Sequence, residues 1–157
     1  MNDREGWLRR IDIDAYSLQW APEAIRGDKG VVLAAIENDC YAFFYASPAL
    51  KRDPDVIRAS KQEALHWVHV DGEKLEHVMP HERGDREIVL AAVTQNGNAL
   101  RFASVDLKAD REVVLAAMAQ NVSAFRFASP ALQNDPRVIQ RREAALRFGG
   151  RNALFPH

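Results

Sequence analysis

The chain has 157 residues, of which 47% are hydrophobic and 27% charged, and its formal net charge is −1. That length can bury a core of ordinary size, and the composition is that of a globular protein in water. A charge this close to zero provides no global field for nucleic acid, and no apolar run approaches the roughly 20 residues that span a bilayer. The polar start Met1-Asn2-Asp3-Arg4-Glu5 is unlike a secretory leader. Cys40, the single cysteine, excludes an internal disulfide and suits the cytoplasm.

An aspartate recurs at Asp3, Asp28, Asp53, Asp85, Asp110 and Asp135, in steps of 25, 25, 32, 25 and 25 residues. A fixed period of this size marks a repeat architecture. The chain reads as six repeats in one domain, 1–157, a three-repeat block used twice (3–84 and 85–157), with seven extra residues in the third repeat. Apolar columns move with the aspartate: Ile11, Ile36, Val93 and Met118; Leu18, Phe43, Leu100 and Phe125; Trp20, Tyr45, Phe102 and Phe127; Ala21, Ala46, Ala103 and Ala128. Each column is expected to be core. Asp suits a helix N-cap, and Pro54 and Pro136 suit the first helical position, where a missing N–H is harmless.

The first repeat (3–27) has Gly6 inside its opening helix and Arg9 and Arg10 where others carry paired alanines, so that helix is expected to be exposed on one side. Trp7 and Trp20 are expected in the core. In the second repeat (28–52), Phe44 occupies a column held by Gln19, Arg101 and Arg126, and Tyr41 a column held by Tyr16, Asn98 and Ser123. Tyr16, Tyr41 and Phe44 are therefore expected to form an exposed aromatic patch, either a contact surface or a seat for the N-terminal segment or the third-repeat insertion. Cys40 aligns with Gly97 and Val122 and reads as a small buried residue.

The third repeat (53–84) carries His66, His69, His77 and His81 with Asp71, Glu73 and Glu76. A zinc site can be drawn from these, but Pro80 and Gly72 favour a solvated junction with Trp67 as its anchor, and no metal is expected. The third and sixth repeats are expected to lack the Asn-x-x-Ala-x-x-Phe-Ala half. In the fourth and fifth (85–134), Asn96 and Asn121 are expected to cap a second helix of about eight residues, such as Val122–Ser129, on an apolar stripe of Ala124, Phe127 and Ala128. Ser47-Pro48 and Ser129-Pro130 open a further short turn. Arg101 and Arg126 share an outward column, which could hold an anion or simply solvate the face. The sixth repeat (135–157) is basic through Arg137, Arg141, Arg142, Arg147 and Arg151, stops at Gly149-Gly150, and ends in the apolar Leu154-Phe155-Pro156.

A hairpin of this size cannot bury its apolar face alone, but stacked copies can. The expected fold is all-α: an α-solenoid or superhelical bundle of six helical-hairpin repeats. The pattern Asp-x-Glu-Val-Val-Leu-Ala-Ala-x-x-Gln-Asn-Gly-x-Ala-Leu-x-Phe-Ala-Ser, clearest over 85–129 and recognisable over 28–50, resembles the bacterial and protist repeat family catalogued as domain of unknown function 4116. The resemblance implies a helical repeat and carries no catalytic residue with it.

There is no glycine-rich phosphate loop, Gly-x-Ser-x-Gly elbow, Cys-x-x-Cys or His-Glu-x-x-His in the sequence. The expected function is a non-enzymatic interaction module, without cofactor, that binds a protein partner or a second copy of itself through Tyr16, Tyr41 and Phe44. The alternative is a solenoid that binds nucleic acid or phosphate through Arg101, Arg126 and the basic last repeat. Residues 1–84 carry net −4 and residues 85–157 net +3, so head-to-tail stacking of copies is also open.

Overall fold

A computed structural model describes residues 3–148. The apolar tail and the Gly149-Gly150 stop lie outside these residues. Every regular element among the described residues is helical and none is a strand, so the all-α expectation holds. The chain divides into two compact units, Met1–Ala64 and Leu65–His157.

In the first unit, α1 (Arg4–Ile13) and α3 (Lys29–Asn38) each start on an aspartate whose carboxylate accepts a first-turn N–H, from Gly6 to Asp3 and from Val31 to Asp28. Each ends at a second aspartate, Asp14 or Asp39, which ends one helix and caps the next. The segments that follow, Ala15–Trp20 and Cys40–Tyr45, are 3-10 helices rather than the α-helices expected from the sequence. A short α2 (Glu23–Arg26) and a 3-10 turn, Leu50–Arg52, close the two repeats. α1 packs on α3, and Arg9 and Arg10 are exposed.

The second unit repeats this plan. α5 (Arg86–Gln95) and α7 (Arg111–Gln120) are capped by Asp85 and Asp110, followed by 3-10 helices Gly97–Phe102 and Val122–Phe127, and then by α6 (Val105–Lys108) and α8 (Pro130–Gln133), which open on Ser104 and Ser129. α9 (Pro136–Phe148) completes the described chain. The six-residue 3-10 segments exceed the usual three or four residues. Their apolar residues fall three apart, which matches three residues per turn: Gly97, Leu100 and Ala103 are buried, as are Ala15, Leu18 and Ala21. The backbone follows, with Ala99 N–H donating to Asn96 O at 2.9 Å and Ala103 N–H to Leu100 O at 3.2 Å. The segment expected as a second helix over Val122–Ser129 is accordingly 3-10 and stops at Phe127.

Two columns expected in the core are there. Ile11, Ile36, Val93 and Met118 are buried, and so are Ala21, Ala46, Ala103 and Ala128. Full burial of one such large side chain is worth about 1.5–3 kcal/mol. The column of Trp20, Tyr45, Phe102 and Phe127 is not core: Trp20 is 78% exposed and the other three are half-buried. In a 3-10 helix the buried line returns every third residue, and this column lies two beyond it, on the flank. Trp7 is half-buried, and so is Phe125 of the leucine column.

The third repeat also differs from expectation. α4 (Pro54–Val70) has 17 residues against 10 for α5, so the seven-residue insertion lies inside the first helix. The second half is retained: Asp71 accepts from Glu73 N, and Gly72, Leu75 and Val78 form the buried three-residue line. Gly72 is the buried start of that 3-10 helix. Its missing Cβ matters, because one there would collide with the carbonyl oxygen of Ala92, and a Cβ at Gly97 would do the same with Ala117.

Candidate functional site

The recurring carboxylates are fully employed in building repeats. The residue after each capping aspartate reaches the capping aspartate of the next repeat: Arg4 to Asp28 at 2.9 Å, Lys29 to Asp53 at 2.9 Å, Arg86 to Asp110 at 3.2 Å, and Arg111 to Asp135. Lys29 also contacts Asp55, and Arg86 contacts Glu112. The ladder pauses where proline takes the cation's place, at Pro54 and Pro136. Hydrogen bonds from Arg4 and Lys29 hold Asp28 and Asp53 below the usual carboxylate range. At Asp110, burial opposes ionisation, but the N–H of Val113 and the Arg86 side chain outweigh it. At Asp135 the Arg137 N–H leads, with Arg111 behind it.

The aromatic residues singled out from the sequence come together at the surface of the first unit. Asp14 and Asp39 place Tyr16 and Tyr41 at equivalent positions by accepting their N–H groups at 2.9 and 2.8 Å. The two rings lie 6.5 Å apart, centre to centre, and Tyr45 lies edge-on to Tyr16 at 6.4 Å. Phe44 stands edge-on to Tyr45 at 5.5 Å, with the Lys51 ammonium 5.0 Å from its ring centre. Tyr16 is 42% exposed and Phe44 58%, while Tyr41 and Tyr45 are half-buried. Burial of the ring, followed by the negative charge of Asp39, raises the Tyr16 phenol above its ordinary value. Trp20 occupies the Tyr45 column one repeat earlier and is also exposed. Its position was not legible from hydrophobicity alone; the three-residue spacing of Ala15, Leu18 and Ala21 would have placed it on the flank.

In the second unit the matching columns hold Asn98 and Ser123, Arg101 and Arg126. Arg101 lies 4.4 Å from the Phe102 ring centre and Arg126 4.6 Å from that of Phe127. Arg101 also faces Glu73 at 3.7 Å. The two arginines are exposed. On α9, Arg142 stacks 4.9 Å from the Phe125 ring centre.

The histidines of the third repeat do not converge. His66, His69, His77 and His81 are all exposed, and His69 Nδ1 lies 2.6 Å from the Leu65 carbonyl of its own helix. Among the described residues no three of His, Cys, Asp and Glu form a group that could hold a metal ion. Trp67 is half-buried and Cys40 is buried. The buried carboxylate of Glu82 accepts the Met79 N–H at 3.0 Å, in a column that holds the buried Leu107 and Leu132 in later repeats. No helix among the described residues is long and apolar enough to cross a membrane.

A family model described as Domain of unknown function (DUF4116) matches residues 3–58 and 85–140. The chain belongs to this family. Each DUF4116 segment spans two whole repeats and stops in the helix that opens on Asp-Pro, so the extra turns of α4 fall between the two. No curated protein and no solved structure matches the chain.

Proposed function

We propose that this DUF4116 chain is a non-enzymatic α-solenoid of six repeats, acting in the cytoplasm as a module that binds another protein or a second copy of itself. The observation that carries this reading is the cluster of Tyr16, Tyr41, Phe44 and Tyr45 at the surface of the first unit, with Trp20 exposed in the same register. Exposed aromatic clusters are enriched at contact surfaces because they offer large area with few rotatable bonds. The repeated Asp and Asn side chains support a structural rather than a chemical role, since they accept backbone N–H groups at helix starts. The alternative of a phosphate or nucleic-acid site at Arg101 and Arg126 has weaker support, because Glu73 faces Arg101 and the chain as a whole carries net −1.

The test is the double substitution Tyr41→Ala with Phe44→Ser. Loss of self-association, or of binding to a partner isolated with the wild type, at unchanged helical content is the expected result. Unchanged association in both assays removes the reading.

A further inference from the structure

Equivalent positions in the first two repeats and in the fourth and fifth carry different chemistry. Where α1 and α3 end, the last turn and the following cap supply Asp12, Asp14, Glu37 and Asp39. Where α5 and α7 end, the same positions hold Thr94, Asn96, Ala119 and Asn121. Capping does not require the charge. Asn96 and Asn121 accept the N–H two residues on at 3.0 Å each, while Asp14 and Asp39 do so at 2.9 and 2.8 Å. Helix C-termini already carry partial negative charge, so carboxylates there oppose the helix dipole. Asp12 and Glu37 thus sit in a last turn that disfavours their charge, and Asp14 and Asp39 at a cap that asparagine serves as well.

The aromatic side chains beside these carboxylates complete the contrast. In the second unit a guanidinium covers the flanking ring of both regular repeats, Arg101 over Phe102 and Arg126 over Phe127. In the first unit those arginine positions are Gln19 and Phe44, and among the described residues no cation lies over Tyr16, Trp20, Tyr41 or Tyr45. Tyr16 joins the two features, because the Asp39 charge acts on its phenol and its ring lies 6.5 Å from that of Tyr41. Lys51 lies over Phe44, Arg10 over Trp7, and Arg9 reaches toward Glu5 at 3.8 Å. A surface of open π-faces backed by carboxylates fits guanidinium groups.

We propose that the acidic aromatic face of the first unit binds the Arg101–Arg126 column of the second unit in a second copy of this chain. The proposal rests on the reading of the aromatic face as a contact surface and names its occupant. Charge complementarity selects the occupant: the columns that are acidic and aromatic in the first two repeats are neutral and arginine-bearing in the fourth and fifth. The Arg101–Glu73 pair is long and exposed, so exchanging Glu73 for a partner's carboxylates costs little.

The experiment is sedimentation velocity on the full chain over a concentration series, at low and high salt, with two variants built from side chains the repeats already use. The first, Asp12→Thr, Asp14→Asn, Glu37→Ala and Asp39→Asn, neutralises the acidic face while keeping the caps. The second, Arg101→Gln with Arg126→Gln, removes the arginines. Wild type is expected to self-associate, more weakly in salt. Each variant alone should associate about tenfold more weakly or not at all, with unchanged circular dichroism, and an equimolar mixture of the two should recover association because one supplies the arginines and the other the carboxylates. A wild type that is monomeric throughout overturns the proposal, and so does either variant associating like wild type. If wild type associates without salt dependence and only Tyr41→Ala with Phe44→Ser dissolves the complex, the contact-surface reading stands and this pairing falls.

Discussion

Replacing Gly97 by alanine tests how closely successive repeats approach. Gly97 opens a 3-10 helix, is buried, and donates its N–H to Gln120 Oε1 at 3.0 Å. A Cβ there would strike the Ala117 carbonyl oxygen and sit 3.1 Å from Asn121 N and 3.2 Å from Ala117 C. The obstacle is helix backbone, which cannot swing aside as a side-chain tip can. Overpacking of this kind costs about 1–3 kcal/mol, and the smaller entropy of an unfolded alanine offsets about 0.4–1 kcal/mol of it. The net expectation is a loss of about 1–2 kcal/mol, or roughly 2–8 °C in Tm for a chain of this size. Gly84 is the control. It is exposed, and a Cβ there would find only Ser104 Oγ at 3.8 Å, so Gly84→Ala should leave stability unchanged or raise it. Thermal and urea unfolding followed by circular dichroism measure both. A Gly97→Ala protein as stable as Gly84→Ala would refute the close approach of the Gly97 helix to α7.

Trp20→Ser should change stability by no more than about 0.5 kcal/mol, whereas Leu18→Ala, two residues away and fully buried, should cost about 2–5 kcal/mol; urea unfolding separates a flank position from a core one. Asp110→Ala should cost about 1 kcal/mol through loss of the cap to Glu112 and Val113, while Asp110→Asn keeps the cap and should lose much less. Asp28, Asp53, Asp110 and Asp135 all have carboxyls lowered in the folded state, so their stabilisation is present above the unfolded value of about 4 and is lost as pH falls through the folded values. Tm should therefore drop below about pH 4, and a Tm flat to pH 2 would contradict the ladder. The Tyr16 phenol is raised instead, so the Tyr16→Phe protein should lack a tyrosine absorbance step that in wild type falls above the ordinary phenol range, near 10.

The repeat and its caps were legible in the sequence because each rests on a local rule. An aspartate at a fixed period needs only its own neighbours to act as an N-cap, and it does so at Asp3, Asp28, Asp85 and Asp110. The 3-10 helices were harder to read. A six-residue segment such as Gly97–Phe102 is too short for a spacing of three to be told from one of 3.6 by composition, and Phe102 lies four residues or fewer from every apolar neighbour either way. Reading it as α-helical put Trp20, Tyr45, Phe102 and Phe127 in the core, although they lie on the flank. The second half of the third repeat was missed because Lys74 and His77 replace the alanine and phenylalanine of the motif, while the Asp71 cap and the Gly72, Leu75, Val78 line that preserve its shape are less conspicuous. The aromatic residues could be placed from column comparison, since Phe44 stood out against Gln19, Arg101 and Arg126. The change from acidic to neutral caps along the chain became informative only once both kinds were seen to make the same bond.

The extra length of α4 shows which changes this architecture absorbs. Seven residues turn an α-helix through about 700°, within about 20° of two full revolutions, and advance it by about 10 Å. The insertion therefore lengthens the helix without reorienting its faces, and Val56, Ser60, Ala64 and Val68 remain buried along one line while Asp71 still meets the start of the next segment in phase. An insertion of five residues would instead rotate the end of α4 by about 140° about its own axis. Length in such a helix thus varies in quanta set by the helical screw, and α4 has taken a step close to two whole turns.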